Sequence, residues 1–323
     1  MRPLKFHPIL KQTLWGGERI IPYKELASEL SRVGESWELS GMPGSESVVA
    51  EGPWTGSTLP ELIGRFGAEL LGKANYARFG QEFPLLVKFI DAREDLSIQV
   101  PPDDELARKR HGKSGKCEMW YVLEAEPGAS LLTGFSRPIA PAEYERRVAD
   151  NTLTDVLNRQ AIASGDVFYL PAGRVHSIGK GSFIVEIQQS SDITYRIYDF
   201  DRRDAAGNSR ELHTELAREA IDFESSENSR ITYAPENNQE VRLVTTPYFT
   251  TSLYTLTART RCDWSATDSF VAIVLLQGSG SLTDNEGNRI DVRQGETWLL
   301  PASTQWTEIT PHTATLRLLT SRI

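Results

Sequence analysis

The 323-residue chain has only two cysteines and five histidines. Two cysteines cannot build the disulfide framework of a small secreted domain, so the sequence predicts that Cys117 and Cys262 are reduced thiols of a cytoplasmic protein. Five histidines leave few soft ligands for a metal. A metal site in this chain would therefore be small and would use oxygen donors as well as nitrogen.

Long apolar runs and an excess of basic residues are also missing. No segment reaches the roughly 18 apolar residues of a membrane-spanning helix, and residues 1–17 show neither the apolar core nor the cleavage site of a secretory signal. The 35 lysines and arginines are outnumbered by 44 aspartates and glutamates, which gives a net charge of −9. Because no long basic block offsets this charge, we expect no nucleic-acid or membrane partner.

Short β-type segments are abundant instead. Runs such as PLLVKFIDA, MWYVLEAE and SFIVEIQQ are rich in aliphatic residues and are bounded by turn residues, which is typical of strands. Helical patterns interrupt them at two short helices within 59–82, at 103–110 with Asp103 as the N-cap, after residue 141, and near 210–223. A polar stretch then predicts a boundary near residue 235, between units 1–235 and 236–323.

An internal repeat relates the two units. GDVFYLPAGRVHSI (165–178) parallels GETWLLPASTQWTE (295–308) at an offset of 130 residues. Upstream, MWYVLEAEPGASL parallels FVAIVLLQGSGSL at an offset of 152 residues. The two offsets differ by about the length of the helical interruption at 141–160. Two β units therefore share one plan, and the first carries an additional helical loop.

The first copy of the repeat contains the spacing G-x5-P-x-G-x2-H, formed by Gly165, Pro171, Gly173 and His176. This spacing resembles the second sequence motif of the cupins, small antiparallel β-barrels in which the histidine binds a divalent metal. In the second copy Trp306 stands at the position of the histidine. The resemblance implies a mainly β fold of two cupin-type (jelly-roll) barrels, with a few helices inserted in and around the first and no metal site in the second.

Four ordered segments resemble a narrower family: LSIQVPPDDE (96–105), GKCEMWYV (115–122), PAGRVHSI (171–178) and EIQQSSDITYRIYDFDRR (186–203). With the N-terminal PLKFHPILKQTLWGG, they resemble the type I mannose-6-phosphate isomerases in their short bacterial form, over most of the chain. The resemblance implies an aldose–ketose isomerase that interconverts mannose 6-phosphate and fructose 6-phosphate through a cis-enediol. Its small-molecule partner would be a sugar phosphate.

The resemblance also implies one Zn2+ per chain. The family binds zinc through a Gln and a His of a Q-x-H-P segment, a Glu of a G-K-x-E segment and the motif histidine. The implied ligands here are Gln99, Glu118 and His176, because Pro101 stands where the family has the other histidine. Three protein ligands suffice for a catalytic zinc, but an amide oxygen is a weaker ligand than imidazole. We therefore predict a weakened zinc site.

Other site residues follow by position from the same resemblance. Arg196 is the implied catalytic residue, and Lys116, Asp192 or a zinc-bound water are the candidates for moving the proton, among which the sequence does not choose. The implied substrate contacts are Trp15, Lys88, Ser97 and Arg202, of which Ser97 and Arg202 would contact the phosphate, and Glu35 is an implied pocket residue.

Strand periodicity supports this placement without reference to any family. Residues two apart on a strand share a face, so Ser97 should lie beside Gln99 and Lys116 beside Glu118. Lys88 and Lys116 lie inside apolar β runs, where an unpaired charge would be costly. This indicates that both lysines have buried partners.

Pro101 leaves a second function open, a catalytically inactive cupin that binds a sugar phosphate for sensing or regulation. A non-haem iron oxygenase is disfavoured because its triad of two histidines and one carboxylate would lack a histidine. The sequence does not give the oligomeric state.

Overall fold

Short apolar segments bounded by turn residues form strands throughout the chain, as the sequence predicts. The computed structural model describes residues 1–204, 206–224 and 228–323. The strands before residue 235 are β1 (Leu4–Lys5), β2 (Ile9–Gly17), β3 (Val33–Leu39), β4 (Gly41–Met42), β5 (Ser45–Glu46), β6 (Leu85–Ala92), β7 (Ile98–Val100), β8 (Glu118–Ala125), β9 (Ser130–Phe135), β10 (Leu157–Ala161), β11 (Val167–Leu170), β12 (His176–Ile178), β13 (Ser182–Gln189), β14 (Tyr195–Tyr198) and β15 (Arg230–Ile231). Those after it are β16 (Glu240–Thr245), β17 (Thr250–Leu256), β18 (Thr260–Asp263), β19 (Val271–Gln277), β20 (Ser279–Asp284), β21 (Arg289–Arg293), β22 (Thr297–Leu300), β23 (Trp306–Pro311) and β24 (Leu316–Arg322).

The α-helices of the described ranges all lie before residue 235: α1 (Ile20–Tyr23), α2 (Leu59–Phe66), α3 (Ala68–Leu71), α4 (Lys73–Phe79), α5 (Asp104–His111), α6 (Pro141–Ala149) and α7 (Thr214–Ala220). The predicted N-cap of α5 is confirmed, because an Asp103 carboxylate oxygen accepts the Leu106 N–H at 2.8 Å. Where the sequence predicts two helices in 59–82, the structure has three. Gly67 and Gly72 interrupt the helical pattern with positive φ angles of 50° and 94°.

The helix predicted near 210–223 is shorter than expected and begins only at Thr214. Tertiary contacts hold the residues before it out of the helix. The His213 N–H donates to the carbonyl of Arg196 at 2.7 Å, and the Arg210 guanidinium binds the Asp199 carboxylate. These contacts draw residues 210–213 alongside β14 instead.

The predicted repeat corresponds to repeated structure. Strands β8, β9, β10, β11 and β12 are followed in the second half by β19, β20, β21, β22 and β23 in the same order. His176 begins β12 and Trp306 begins β23, and the interruption between β9 and β10 holds α6 and a 3-10 helix at Leu153–Val156. The second half joins β20 to β21 by a short turn instead. The additional helical loop of the first unit is therefore confirmed.

Four sheets form two barrels, each built from two sheets that pack face to face. The first barrel pairs a seven-stranded sheet, β15-β11-β8-β13-β6-β2-β3, with a five-stranded sheet, β10-β9-β12-β7-β14. The second pairs a six-stranded sheet, β1-β22-β19-β24-β17-β16, with a four-stranded sheet, β18-β23-β20-β21. This arrangement confirms the predicted mainly β fold of two barrels. No helix within the described ranges is both long and apolar enough to span a membrane.

Alternation along three central strands gives the seven-stranded sheet two different faces. On β6, β8 and β13 the odd-numbered residues, among them Val87, Met119 and Val185, pack in the core between the two barrels. The even-numbered residues, among them Lys88 and Glu186, point into the first barrel. This follows from the period of two along a strand. The same strands thereby join the barrels and supply polar side chains to a cavity.

The interior of the second barrel is filled by apolar side chains from both of its sheets, including Leu282, Trp298 and Leu318. Its six-stranded sheet also contains the N-terminal strand β1, in which Leu4 pairs with Leu299 of β22. The two units are thus interlocked through one short strand. The boundary near residue 235 stays a prediction.

Truncation of a β1 side chain should destabilise the whole protein. Leu4 is fully buried in the core between the barrels. We expect Leu4→Ala to lower the free energy of unfolding by about 2–5 kcal/mol, since burial is lost and a cavity remains. Leu30→Ala is the matched control because Leu30 is 43 % exposed, and it should change stability by less than about 0.5 kcal/mol. Urea denaturation measures both, and equal effects would contradict the role of β1.

Candidate functional site

A cavity of about 700 Å³ opens between the two sheets of the first barrel. The charged side chains around it are the cations Arg32, Lys88, Lys116, Arg196 and Arg210 and the acids Glu35, Glu186 and Asp192. Five cations against three acids give this cavity a local positive excess in a chain whose net charge is −9. Such an excess favours an anionic ligand.

One wall of the cavity carries a row of side chains that the strand register fixes. Glu186 lies directly between Lys88 and Trp120 on the neighbouring strands. Its carboxylate lies 2.8 Å from the Lys88 ammonium and accepts the Trp120 indole N–H at 2.9 Å. Burial alone would lower the pKa of Lys88, but Glu186 and Glu35 raise it above its ordinary value. Lys88 is therefore a fixed cation.

Behind the lining residues Gln99 and Lys116 a second group of side chains surrounds one carboxylate oxygen, and its members Glu118 and His176 are buried and do not themselves line the cavity. The Glu118 Oε1 atom lies 3.0 Å from the Lys116 ammonium and 3.5 Å from Nε2 of His176. The Gln99 amide nitrogen lies 3.1 Å from the same histidine nitrogen, because Gln99 and His176 face each other across β7 and β12. The three ligands implied by the sequence are therefore brought together.

The protonation of His176 suits metal binding. Its Nδ1 lies 2.9 Å from the carbonyl oxygen of Arg174, which fixes the proton on that nitrogen and leaves the Nε2 lone pair facing Glu118 and Gln99. Burial and the Lys116 charge lower the pKa of His176 to about 3, so the imidazole is neutral. A neutral imidazole oriented by a backbone carbonyl is the usual state of a metal-binding histidine.

The carboxylate of Glu118 lacks compensation where a cation would sit. Its Oε1 atom is buried and accepts no well-aligned hydrogen bond, although the Lys116 ammonium lies near it. Burial and the nearby Glu186 raise the pKa of Glu118 above its ordinary value, which shows that its negative charge is under-compensated. A cation beside Oε1 would supply that compensation.

The spacing of these donors fits a zinc ion. Two donors about 2.0–2.2 Å from a tetrahedral zinc lie about 3.3–3.6 Å apart, which matches the 3.5 Å between Nε2 of His176 and Oε1 of Glu118. The Gln99 amide has its nitrogen toward His176, so its oxygen would face the ion after a rotation of the amide by about 180°. Within the described ranges no group of three His, Cys, Asp or Glu side chains is placed to hold a metal. The third donor here has to be the Gln99 amide.

Pro101 is buried immediately after β7, two residues beyond Gln99. Its carbonyl accepts the N–H of Gly173 at 2.9 Å and so anchors the turn that leads to His176. The backbone around the position is thus well defined, while the side chain offers no donor atom.

The remaining predicted residues lie at different depths. Trp15, Ser97 and Glu35 line the cavity, as does Arg196, whose backbone pairs with Gln99 across β14 and β7. Asp192 is at the rim, half-exposed, and its carboxylate lies 3.0 Å from the Lys113 ammonium.

Arg202 is not among the residues that line the cavity. Its guanidinium donates to the carboxylate of Asp199 and to the carbonyl of Asp95. The structure does not bring this predicted phosphate contact into the cavity, because the side chain is committed to Asp199.

Two cationic residues of the cavity, Arg32 and Arg210, were not among the sequence candidates. Arg32 has a positive φ of 55° in the segment that leads into β3, and no pattern in the sequence identifies it. Arg210 falls at the start of a segment that reads as a helix. It also lies beyond the last motif segment, 186–203, so the motifs do not identify it.

A close approach of the Gly34 backbone to Thr13 and Trp15 supports the cavity wall. A Cβ on Gly34 would lie 2.1 Å from the Thr13 hydroxyl and 2.6 Å from the Trp15 ring. Glycine is therefore required for Trp15 to pack against this backbone.

Comparison with known proteins identifies relatives over nearly the whole chain. Residues 4–132 match the model of the phosphomannose isomerase type I catalytic domain. A probable mannose-6-phosphate isomerase of Bacillus subtilis is 34 % identical over 303 residues, which are 93 % of each chain. A mannose-6-phosphate isomerase of Streptococcus mutans is 33 % identical over 302 residues, covering 93 % of this chain and 92 % of the relative.

Solved structures agree with the sequence matches. The crystal structure of a mannose 6-phosphate isomerase from Bacillus subtilis superimposes with a TM-score of 0.90 at 30 % identity, covering 100 % of both chains. The structure of a putative mannosephosphate isomerase from Archaeoglobus fulgidus shares the fold, with a TM-score of 0.79 at 21 % identity over 99 % of this chain and 98 % of that one. With relatives above 30 % identity across nine-tenths of its length, the chain belongs to the type I phosphomannose isomerase family.

Proposed function

We propose that this chain interconverts mannose 6-phosphate and fructose 6-phosphate, with one zinc ion bound at the floor of the cavity. The observation that carries the proposal is the convergence of Gln99, Glu118 and His176 on one point below a cavity with excess positive charge. Membership of the family supports the same reaction. The cavity, at about 700 Å³, is large enough for an open-chain hexose phosphate.

Gln99, Glu118 and His176 would hold the ion, which when bound supplies Lewis-acid polarisation of a substrate oxygen. The oxygens at C1 and C2 of the sugar would lie at this floor. The ion pair of Lys88 with Glu186 fixes the adjacent wall, so that substrate hydroxyl groups meet an oriented donor and acceptor.

The isomerisation moves a proton between C2 and C1, and Lys116 is the group we assign to that transfer. It is nearly fully buried, lines the cavity and lies beside the Glu118 carboxylate. Asp192 is half-exposed at the rim and paired with Lys113, which favours Lys116 over it. Depth in the cavity supports this choice, because proton transfer requires contact with the reacting carbons.

Arg196 would stabilise the oxygen that becomes negative in the enediolate. Its backbone pairs with Gln99, so its guanidinium enters the cavity from the strand next to the metal donors. A fixed cation beside a developing oxyanion lowers the barrier because it needs no reorganisation during the reaction.

Pro101 favours one alternative, a protein that binds the sugar phosphate without turning it over. This function would need the same cavity and the same cations but no metal. The metal content of the protein therefore distinguishes the two functions. Both functions suit the cytoplasm, which the two buried, free thiols Cys117 and Cys262 also favour.

Restoring the histidine at position 101 should strengthen zinc binding. Residue 101 follows Gln99 by two along an extended backbone, so a side chain there points toward the same face. We expect Pro101→His to bind Zn2+ at least tenfold more tightly and to raise turnover of mannose 6-phosphate. Competition titration with a zinc chelator measures affinity, and a coupled assay measures turnover.

Pro102→His is the matched control for that variant. Pro102 is buried and adjacent, but it lies one residue out of phase with Gln99. It should leave zinc affinity unchanged. Turnover absent from both the parent and Pro101→His at saturating zinc would remove the isomerase proposal in favour of the binding protein.

Removing the Lys116 ammonium should abolish most turnover while metal binding persists. We expect Lys116→Met to lower kcat by about 10²–10⁴-fold, the usual contribution of a general acid–base group. Loss of proton exchange at C2, followed by NMR in D2O, should accompany it. Lys113→Met is the control because that lysine is exposed at the rim, where its ammonium lies 3.0 Å from the Asp192 carboxylate. A kcat within threefold of the parent in Lys116→Met would refute the assignment.

A further inference from the structure

The loop after β14 builds a cluster of three arginines around a single buried carboxylate. Asp199 is 5 % exposed, and its side chain accepts hydrogen bonds from Arg202 at 2.5 Å and from Nε of Arg210 at 2.7 Å, with a second bond from Nη2 of Arg210. Burial lowers the pKa of Arg196 most, and the nearby charges of Arg210 and Arg202 lower it further. One carboxylate cannot neutralise three guanidinium groups.

Arg210 and Arg202 are held differently within this cluster. Arg202 donates Nη2 to Asp199 and Nη1 to the carbonyl of Asp95, and it does not reach the cavity. Arg210 binds Asp199 through Nε and Nη2, and it lines the cavity. Within the described residues Nη1 of Arg210 donates no hydrogen bond. One edge of the Arg210 guanidinium is therefore fixed by Asp199, and its other nitrogen is available to a ligand.

Two other side chains that line the cavity with Arg210 are suited to a doubly charged oxyanion. Arg196 also lines the cavity; its Nη1 donates to the carbonyl of Glu211, and its Nε is buried without a hydrogen-bond partner. Ser97 adds a hydroxyl group to the same wall. The lining of the cavity thus includes both Gln99, an implied metal ligand, and the guanidinium of Arg210, the two kinds of group that a substrate with a reactive carbonyl and a phosphate requires.

We propose that Arg210 binds the phosphate group of the substrate and that Asp199 is the positioning residue that orients its guanidinium, with Arg202 holding Asp199 in place. This proposal rests on the proposed function only for the identity of the sugar. Recognition of a phosphate by an arginine that a buried carboxylate pre-orients loses little side-chain entropy on binding. Arg202 then acts from behind the cavity rather than as a direct contact.

Binding of open-chain ligands separates phosphate recognition from the chemistry at C1 and C2. Titration calorimetry on the zinc-loaded protein would compare mannitol 6-phosphate, mannitol and inorganic phosphate. We expect Arg210→Gln to weaken binding of mannitol 6-phosphate about 10- to 100-fold, the usual effect of losing a hydrogen bond to a charged group. Binding of mannitol should not change, and inorganic phosphate should lose affinity in the same direction as the sugar phosphate.

Arg203→Gln is the matched control. Arg203 is exposed in the same loop and donates to the carbonyl of Gly207, away from the cavity. It should bind all three ligands like the parent. Asp199→Asn should weaken binding of the two phosphate ligands and spare mannitol, which general loosening of the loop would not do. If Arg210→Gln unfolds by circular dichroism, Arg210→Lys replaces it and should show a smaller loss, because lysine cannot bind Asp199 in a fork.

In steady-state assays the effect of Arg210→Gln should fall mainly on KM rather than kcat. Equal affinity of the parent and Arg210→Gln for mannitol 6-phosphate would overturn the assignment of Arg210, and the isomerase proposal would stand if the parent turns the substrate over. Arg210-dependent binding in a parent without turnover would support the phosphate site and overturn the isomerase proposal alone.

Discussion

The register between β6, β8 and β13 is the constraint on which the rest of the structure depends. It gives the seven-stranded sheet an apolar face that packs on the second barrel and a polar face that lines the cavity. A shift of one residue would exchange the two faces and would bury Lys88 and Glu186 between the barrels. The energy of packing the barrels together therefore also sets the positions of the charged side chains. Because breaking a buried ion pair costs about 3–5 kcal/mol, the pair between Lys88 and Glu186 further penalises the wrong register.

Local sequence patterns were sufficient for much of the fold and for the floor of the site. Period-two alternation predicted that Ser97 lies beside Gln99 and Lys116 beside Glu118, and the G-x5-P-x-G-x2-H spacing singled out His176, which pairs with Gln99 across β12 and β7. These features depend on residues close together in the chain or on a repeated plan. Gln99, Glu118 and His176 were named from the family resemblance of the segments that contain them, and the structure brings these three side chains together.

Features that depend on distant contacts were not predictable. The N-terminus of α4 receives its capping acceptor from Asp268 in the second barrel, whose carboxylate accepts the N–H groups of Lys73 and Ala74. The segment before α7 has an amphipathic helical pattern, yet contacts with the Asp199 carboxylate and the Arg196 backbone keep its first residues out of the helix. Arg210 reaches the cavity because these tertiary contacts keep it out of the helix. Helix propensity is worth a few tenths of a kcal/mol per residue, less than hydrogen bonds to charged groups.

The pairing of β1 with β22 has a consequence for how the chain folds during synthesis. Leu4 is made 295 residues before its strand partner Leu299. The β1 segment must therefore wait with its apolar side chain uncovered until β22 has been made. Contacts so far apart in sequence form late, and an uncovered strand edge is a site where nascent chains associate. A chaperone that shields β1 would have to act until β22 emerges.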